Sequence, residues 1–181
     1  MPKRDLDTET GVIDSDSLCT PPDIRDRLYD LWGGPPGCDP CSNPHSIIGA
    51  RRELYEGGLL LPWVDERGKA ADNYVNWPYS VNEPWADKAI YELKIGHARE
   101  MVVLCMTSTS TEWWSKMMTR PRINPRVICT KRIPFLGPSG KPLPASSRFD
   151  PSLIYYTRSK RRIAKFDRLF SYIARWTTWG R

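Results

Sequence analysis

The sequence lacks the features that define several classes of protein at once. No stretch of about 18 consecutive apolar residues occurs in the 181-residue chain, which argues against a membrane-spanning helix. The N-terminal residues are polar and acidic without an apolar core, so we expect no secretory signal. The five cysteines are few and odd in number, which favours reduced thiols over a disulfide framework.

Common catalytic signatures are also missing. The chain has two histidines and no nucleophile elbow, which argues against a Ser-His-Asp hydrolase. It contains neither a Walker loop nor a G-x-G-x-x-G turn. Cys38, Cys41 and His45 have spacing suggestive of zinc, but no fourth ligand has a paired spacing. We therefore predict free thiols and no metal.

Charge is distributed unevenly between the two halves of the chain. Residues 1–90 contain 9 basic and 16 acidic residues, a net charge of −7, whereas residues 91–181 contain 18 and 5, a net charge of +13. A strongly basic half indicates a polyanionic partner, most simply nucleic acid. The alternative is a soluble protein whose uneven charge has no partner.

Strand-like and helix-like segments alternate along the chain. Four segments have the apolar content of strands, at residues 74–76, 101–106, 126–129 and 152–156. Helical spacing follows Thr20, which can cap a helix ahead of a proline in the first turn, and covers residues 82–94. This alternation is typical of an α/β sheet with flanking helices.

The two ends of the chain differ from this pattern. Residues 1–18 are acidic and have no aromatic residue, which predicts a flexible tail. Residues 19–158 form the predicted α/β domain. Residues 159–181 are basic with an apolar stripe at helical spacing, which predicts an amphipathic C-terminal helix.

The segment Asn76-Trp77-Pro78-Tyr79 is the most informative. It follows an apolar strand and precedes a helix, and ligands of α/β sheets bind at the carboxyl ends of strands. The Asn76 oxygen and the Trp77 carbonyl can accept hydrogen bonds from an exocyclic amine, and the Tyr79 ring can stack on a base. A plain turn before a helix is the alternative.

A loop that begins with Asp39 follows another predicted strand end. Its carboxylate could hold a ribose or an ammonium group, although an aspartate that caps a turn is the more common arrangement.

In their order, these segments resemble the phage-type DNA adenine-N6 methyltransferases, the small Dam-like family of phages and prophages. The resemblance covers residues 20–157, and Trp77 replaces the first of two prolines that the family has. The matching motifs are Thr20-Pro21-Pro22-Asp23, Asp39-Pro40-Cys41-Ser42, Gly58-Leu59-Leu60-Leu61-Pro62-Trp63, Asn76-Trp77-Pro78-Tyr79-Ser80, Trp85-Ala86-Asp87-Lys88-Ala89, Trp113-Trp114, Arg132-Ile133-Pro134-Phe135 and Arg148-Phe149-Asp150-Pro151-Ser152-Leu153.

The resemblance implies a Rossmann-like, S-adenosylmethionine-dependent methyltransferase sheet that methylates the exocyclic amine of adenine in DNA. The residues implied at the cofactor are Thr20, Pro21, Asp39, Pro40 and Cys41. Those implied at the flipped base are Asn76, Trp77, Pro78 and Tyr79. We expect a protein of the cytoplasm of a bacterial host or phage-infected cell, with no membrane partner.

The expected DNA contacts combine the resemblance with the charge asymmetry. The resemblance places Arg132 on a strand near the mouth of the site. The full expected set is Ser80, Lys131, Arg132, Lys160, Arg161, Arg162 and Lys165.

Two other functions stay open. The same motif type serves the exocyclic amine of cytosine. A methyltransferase fold that has lost catalysis and acts as a DNA-binding or regulatory protein is the non-enzymatic alternative. Trp77 and the lack of a glycine-rich loop after Asp39 favour it.

Overall fold

The computed structural model describes residues 16, 18–121, 123–137, 139–141 and 150–178. Residues 176–178 are described by their backbone alone. The predicted tail of residues 1–18 lies almost entirely outside the described residues. The strands are β1 (Cys38–Asp39), β2 (Arg52–Glu53), β3 (Ala71–Val75), β4 (Ala98–Met106), β5 (Arg126–Thr130), β6 (Pro151–Tyr156) and β7 (Ala174–Thr178). The helices are α1 (Pro22–Trp32), α2 (Asn82–Ile95), α3 (Glu112–Thr119) and α4 (Lys160–Phe170).

The strands form one mixed sheet in the spatial order β2-β1-β3-β4-β6-β5-β7. Neighbouring strands from β2 to β4 are parallel, whereas β6 runs antiparallel to both β4 and β5, and β7 antiparallel to β5. The parallel strands therefore all end at one edge of the sheet, which we call the carboxyl edge. The opposite edge, where they begin, is the amino edge. The predicted α/β class with flanking helices is confirmed.

Helices cover both faces of the sheet. Apolar residues of α2 and α3, such as Trp85 and Met117, join one buried cluster with alternate residues of β4. Apolar residues of α1 and α4, such as Leu28 and Phe166, join a second cluster with the intervening residues of the same strand. Since β4 is apolar on both faces, its side chains bind the two helical layers together, as in a fully covered strand.

Helix α1 crosses the sheet from the carboxyl edge to the amino edge. It begins at Pro22, as predicted for a proline in the first turn, but the residue before the helix is Pro21 and no side chain caps it. The expected cap by Thr20 is wrong, because the Thr20 hydroxyl bonds the Tyr74 hydroxyl at 2.7 Å instead. The helix ends at Gly33, whose φ of 81° suits a residue without a Cβ.

The predicted C-terminal helix over residues 159–181 is wrong beyond Phe170. The chain passes through a short 3-10 turn at Ser171–Ile173 and then forms β7, which pairs with β5. The reason is that β5 would otherwise present an unpaired edge, and a strand satisfies its backbone groups whereas a longer helix would not.

Among the described residues, no helix combines the length and the apolar content needed to cross a membrane.

Candidate active site

The order of the strands reverses at the centre of the parallel group. From β1 the chain moves outward to β2 and then returns to form β3 on the other side of β1. In open α/β sheets, ligands bind outside the carboxyl ends of the strands at such a switch point. Asp39 ends β1 and Asn76 directly follows β3, so both predicted segments flank this crevice.

A small pocket lies in the crevice. It is lined jointly by Thr20, Asp39, Cys41, Asn76 and Pro78, which the sequence assigned to two separate sets. Its volume is about 20 Å³, room for roughly one water molecule. A nucleoside-sized ligand therefore enters only when part of the lining moves.

Asp39 is the charged group of the pocket. Its side chain is 3% exposed, and its Oδ1 accepts from the backbone N–H of Cys41 at 3.2 Å. No cation lies within ion-pair distance of it among the described residues. Burial raises the pKa of the Asp39 carboxyl to about 7, and the hydrogen bond from Cys41 opposes that rise. The pocket thus holds a carboxylate that a cationic or hydroxyl-bearing ligand would stabilise.

Two further polar residues lie near Asp39, and the sequence analysis did not assign them to the site. The Ser42 hydroxyl is buried in the lining of the pocket, and its hydrogen bond to Asp39 lowers the pKa of that carboxyl. Glu53, paired in register with Asp39 at the end of β2, has a buried Oε1 that makes no hydrogen bond within the described residues. An acidic residue that ends the second strand of a nucleotide-binding unit is a recognisable signal, but β2 has only two residues and no periodicity.

Both the nitrogen and the oxygen of the Asn76 side-chain amide make a hydrogen bond. Its Nδ2 donates to the backbone oxygen of Leu18 at 3.4 Å, and its Oδ1 accepts from the Tyr79 hydroxyl at 3.3 Å. Both contacts are long, so each is weak. An incoming hydrogen-bond donor could therefore replace Tyr79 at Oδ1 with little loss.

The Trp77 side chain points away from the pocket into the layer of α2 and α3. It is 1% exposed, its ring meets the edge of Trp113 at 5.9 Å, and its Nε1 donates to Asn82 at 2.9 Å. The bulk of Trp77 is accommodated by the core, and Asn82 also donates to the backbone oxygen of Tyr79 at 2.7 Å. These contacts fix the turn that a second proline would otherwise stiffen.

Tyr79 and Ser80 complete the segment. The Tyr79 ring is 7% exposed and packs edge-on against Phe135 at 6.3 Å, so it is not a free stacking surface in this conformation. Ser80 is exposed, and both its backbone N–H and its hydroxyl bond the Asp16 carboxylate. Both Ser80 groups therefore donate to a negatively charged side chain in this structure.

The remaining residues predicted at the cofactor surround the pocket from outside. Pro21 is buried and its carbonyl accepts the first backbone bonds of α1. The Pro40 carbonyl lies against Gly58, where a Cβ would come within 1.9 Å of it. Close approach of the two loops therefore requires glycine at position 58.

Lys131 and Arg132 directly follow β5 at the carboxyl edge and are exposed. The predicted strand at Arg132 is wrong, because β5 ends at Thr130. A second cavity of about 430 Å³ lies beside them, lined in part by Thr107, Thr130 and Arg175. These residues share an edge of the sheet with Asn76.

The four residues predicted on the C-terminal helix lie elsewhere. Because β6 runs from the carboxyl edge to the amino edge, α4 begins at the amino edge, and Lys160 and Arg161 are exposed there. Arg162 donates to the Leu31 carbonyl, and Lys165 donates to the carbonyls of Asp30 and Leu31. These two cations bind the last turn of α1, which has no basic residue of its own. Their side chains therefore make structural contacts far from the pocket, and their expected contact with DNA stays a prediction.

The structure is that of an α/β protein with a pocket at the point where the strand order reverses. A family model described as DNA N-6-adenine-methyltransferase (Dam) matches residues 12–177, and the chain belongs to that family. Membership implies methylation of adenine in DNA. Neither the curated proteins nor the solved structures contain a match to the chain.

Proposed function

We propose that this chain transfers the methyl group of S-adenosylmethionine to the exocyclic N6 amine of adenine in DNA, in a Rossmann-like site at the switch between β1 and β3. The observation that carries the proposal is the single pocket that joins the Asp39 loop to Asn76 and Pro78. Two short motifs far apart in sequence meet there, as transfer between two bound reactants requires.

The polar groups around Asp39 fit the cofactor. S-adenosylmethionine carries an ammonium group and ribose hydroxyls, which need acceptors in a buried site. Asp39 has no cationic partner among the described residues, and the buried Oε1 of Glu53 has no hydrogen-bond partner there. Both groups gain a partner if the cofactor binds, which recovers free energy lost by burying them.

Acceptors at the base side fit the amine. The Asn76 Oδ1 and the Trp77 carbonyl would accept the two amine hydrogens and so direct the nitrogen lone pair toward the cofactor. When bound, the cofactor supplies a methyl group activated by the positive sulfonium. The residues need no strong base, because positioning and oriented acceptors supply the stabilisation.

Entry of both reactants requires the segment before α1 to move. Leu18 and Asp16 bond Asn76 and Ser80 across the pocket, whose present volume is about 20 Å³. The Leu18 contact is long at 3.4 Å and the Ser80 contact with Asp16 is exposed, so these two hydrogen bonds are weak. DNA phosphates would then compete with Asp16 for the Ser80 donors.

Nucleoside mass spectrometry tests the proposal directly. DNA incubated with the protein and S-adenosylmethionine should yield N6-methyladenine, and DNA incubated without cofactor should not. N4-methylcytosine as the product would favour the cytosine alternative. Absence of any methylated base from a protein that binds S-adenosylmethionine would favour the non-enzymatic one.

A further inference from the structure

The amino edge of the sheet, opposite the candidate active site, gathers exposed cations from five parts of the fold. They come from the turn before β3, the last turn of α2, the end of α3, the residues after β6 and the first turn of α4. Six of them are exposed and have no carboxylate within ion-pair distance in the described part of the chain: Lys69, Lys94, Arg120, Arg158, Lys160 and Arg161. We call them the amino-edge cations.

Strand pairing brings several of these elements together. β3 and β6 both neighbour β4, so the start of β3 and the end of β6 are separated by one strand, about 10 Å between backbones. The register that pairs Met101 with Tyr156 leads Arg99 toward Arg158 at this edge. Arg99 is itself engaged by Asp72 at 2.7 Å, so its charge is already balanced.

Few carboxylates at this edge are available to balance the amino-edge cations. Glu66 is shared by Arg51 and Arg67, and Asp72 is engaged by Arg99. Asp65 lies in the turn before β3, where it accepts from the backbone N–H groups of Arg67 and Lys69. Glu100 is buried and accepts from Thr157 and Trp32. Asp30 is exposed on the last turn of α1. The edge therefore keeps an excess of positive charge that the fold does not neutralise.

The two exposed cations in the first turn of α4 do not stabilise the fold. Lys160 and Arg161 lie at the positive end of the helix dipole, and no acidic residue occurs in that turn. Cations at that end are unfavourable for the helix. Unlike Arg162, neither residue donates to another element of the described structure.

These cations are also too far away to serve DNA at the active site. The nine residues of β4 separate the two edges by about 30 Å. The screening length at physiological salt is about 8 Å, so charges at one edge are largely screened from DNA at the other. A straight duplex on the carboxyl edge therefore gains little from them.

We propose that the amino-edge cations form a second DNA-binding surface, which holds a separate duplex segment by its phosphates. The phosphate backbone of duplex DNA fits this surface, because dispersed cations bind phosphates of any sequence, whereas base recognition needs fixed polar groups. This surface works without cofactor or methyl transfer. It would keep the enzyme on DNA while the carboxyl edge engages and releases target bases.

The experiment counts duplexes per chain without cofactor. Sedimentation velocity with a short duplex in excess should give two duplexes bound to each wild-type chain. The variant Arg158→Ala/Lys160→Ala/Arg161→Ala should bind one, and its slope of log affinity against log salt should be shallower by up to about 2.7. The charge-preserving variant Arg158→Lys/Lys160→Arg/Arg161→Lys should bind two.

Two controls locate the effect and identify the partner. The alanine variant should melt no lower than the charge-preserving variant, because none of the three side chains has an ion-pair partner within the described residues and cations in the first turn of α4 are unfavourable for the helix. Wild-type protein that binds one duplex, or an alanine variant with the wild-type stoichiometry and salt slope, overturns the proposal. Loss of binding to phosphatidylserine vesicles by the alanine variant, with duplex binding unchanged, assigns the surface to a membrane and overturns it equally.

Discussion

The carboxyl edge and the amino edge of the sheet differ in how well their buried polar groups are supplied with partners. At the carboxyl edge, the described residues leave Glu53 with a buried oxygen without a hydrogen-bond partner and Asp39 with a buried carboxyl without a cation. At the amino edge, buried Glu100 accepts from Tyr155, Thr157 and Trp32. Unpartnered buried groups destabilise a fold unless a ligand satisfies them. The proposed cofactor would supply the missing partners at the carboxyl edge, whereas Glu100 needs no ligand.

Positive charge shows a similar contrast inside α4. Arg161 and Arg162 are adjacent in sequence, yet only Arg162 reaches the carbonyls that end α1. Composition alone gives both residues the same role. Geometry separates a cation that stabilises the fold from one that is free to meet a polyanion.

The largest effect should follow from Asn76→Ala at the carboxyl edge. The variant loses one of two acceptors for the amine, so turnover should fall by at least about 100-fold, as for other preorganised polar groups. Methylation in single-turnover experiments measures this loss. Asn82→Ala separates a direct effect from a positioning effect, because it loosens the turn but leaves the Asn76 amide in place, so its loss of turnover should be smaller. Full activity of Asn76→Ala would remove Asn76 from the catalytic site.

Asp39→Asn should have the next largest effect. The amide keeps the shape and can still accept from Cys41 but has no charge for the cofactor, so affinity for S-adenosylmethionine should fall by about 1.5–3 kcal/mol. Titration calorimetry measures it. An unchanged dissociation constant in the folded variant would leave Asp39 as a turn-capping residue.

The pH dependence of cofactor binding sharpens this prediction. The pKa of Asp39 is raised to about 7 from 3.8, so its carboxylate forms as pH rises through neutrality. Affinity for the cationic cofactor should increase from pH 6 to pH 8, by up to about tenfold per unit. Fold stability should change in the opposite sense, because the folded state binds the proton more tightly and loses that stabilisation as pH rises from about 4 to about 7. Asp39→Asn should abolish both dependences.

Much of this site could be predicted from the sequence because its motifs are local. Asn76 through Ser80 follow a short buried strand and precede a helix of 14 residues, and a proline within the segment marks the boundary between the two elements. The family resemblance then linked this segment to the Asp39 loop, and the structure brings the two into one pocket.

The errors came from features that depend on contacts distant in sequence. β7 forms because β5 offers a free edge, which no pattern within residues 174–178 reveals. Arg162 and Lys165 look like other surface cations until α1 is placed beside α4. Glu53 lies on a strand of two residues, too short for periodicity to mark.

A smaller effect is expected from Lys131→Ala/Arg132→Ala, which tests the carboxyl edge as the surface for target DNA. Each lost phosphate contact should reduce the slope of log affinity against log salt by about 0.9. Methylation of a short duplex should weaken in parallel, since both residues share an edge with Asn76. Anisotropy titrations at several salt concentrations measure the slope. A loss equal to that of the amino-edge variant in every assay would show that the two surfaces are not separate.

The smallest effect on function should come from Arg162→Ala. Comparison of this variant with the single variant Arg161→Ala is the sharpest test of the division within α4. Arg162 supplies a cation to the end of α1, and its removal leaves the Leu31 carbonyl with one long bond from Lys165 at 3.4 Å. We expect a loss of about 1–2 kcal/mol in unfolding free energy, or roughly 2–8 °C in melting temperature, with turnover and salt slope unchanged. Arg161→Ala should reduce the salt slope by up to about 0.9 without lowering the free energy of unfolding. The reason is that its side chain is exposed and has no ion-pair partner in the described structure. Calorimetry and salt titration on the two variants measure both quantities. If the two substitutions behave alike, the division of α4 between fold and DNA is wrong, because two adjacent cations would then share one role.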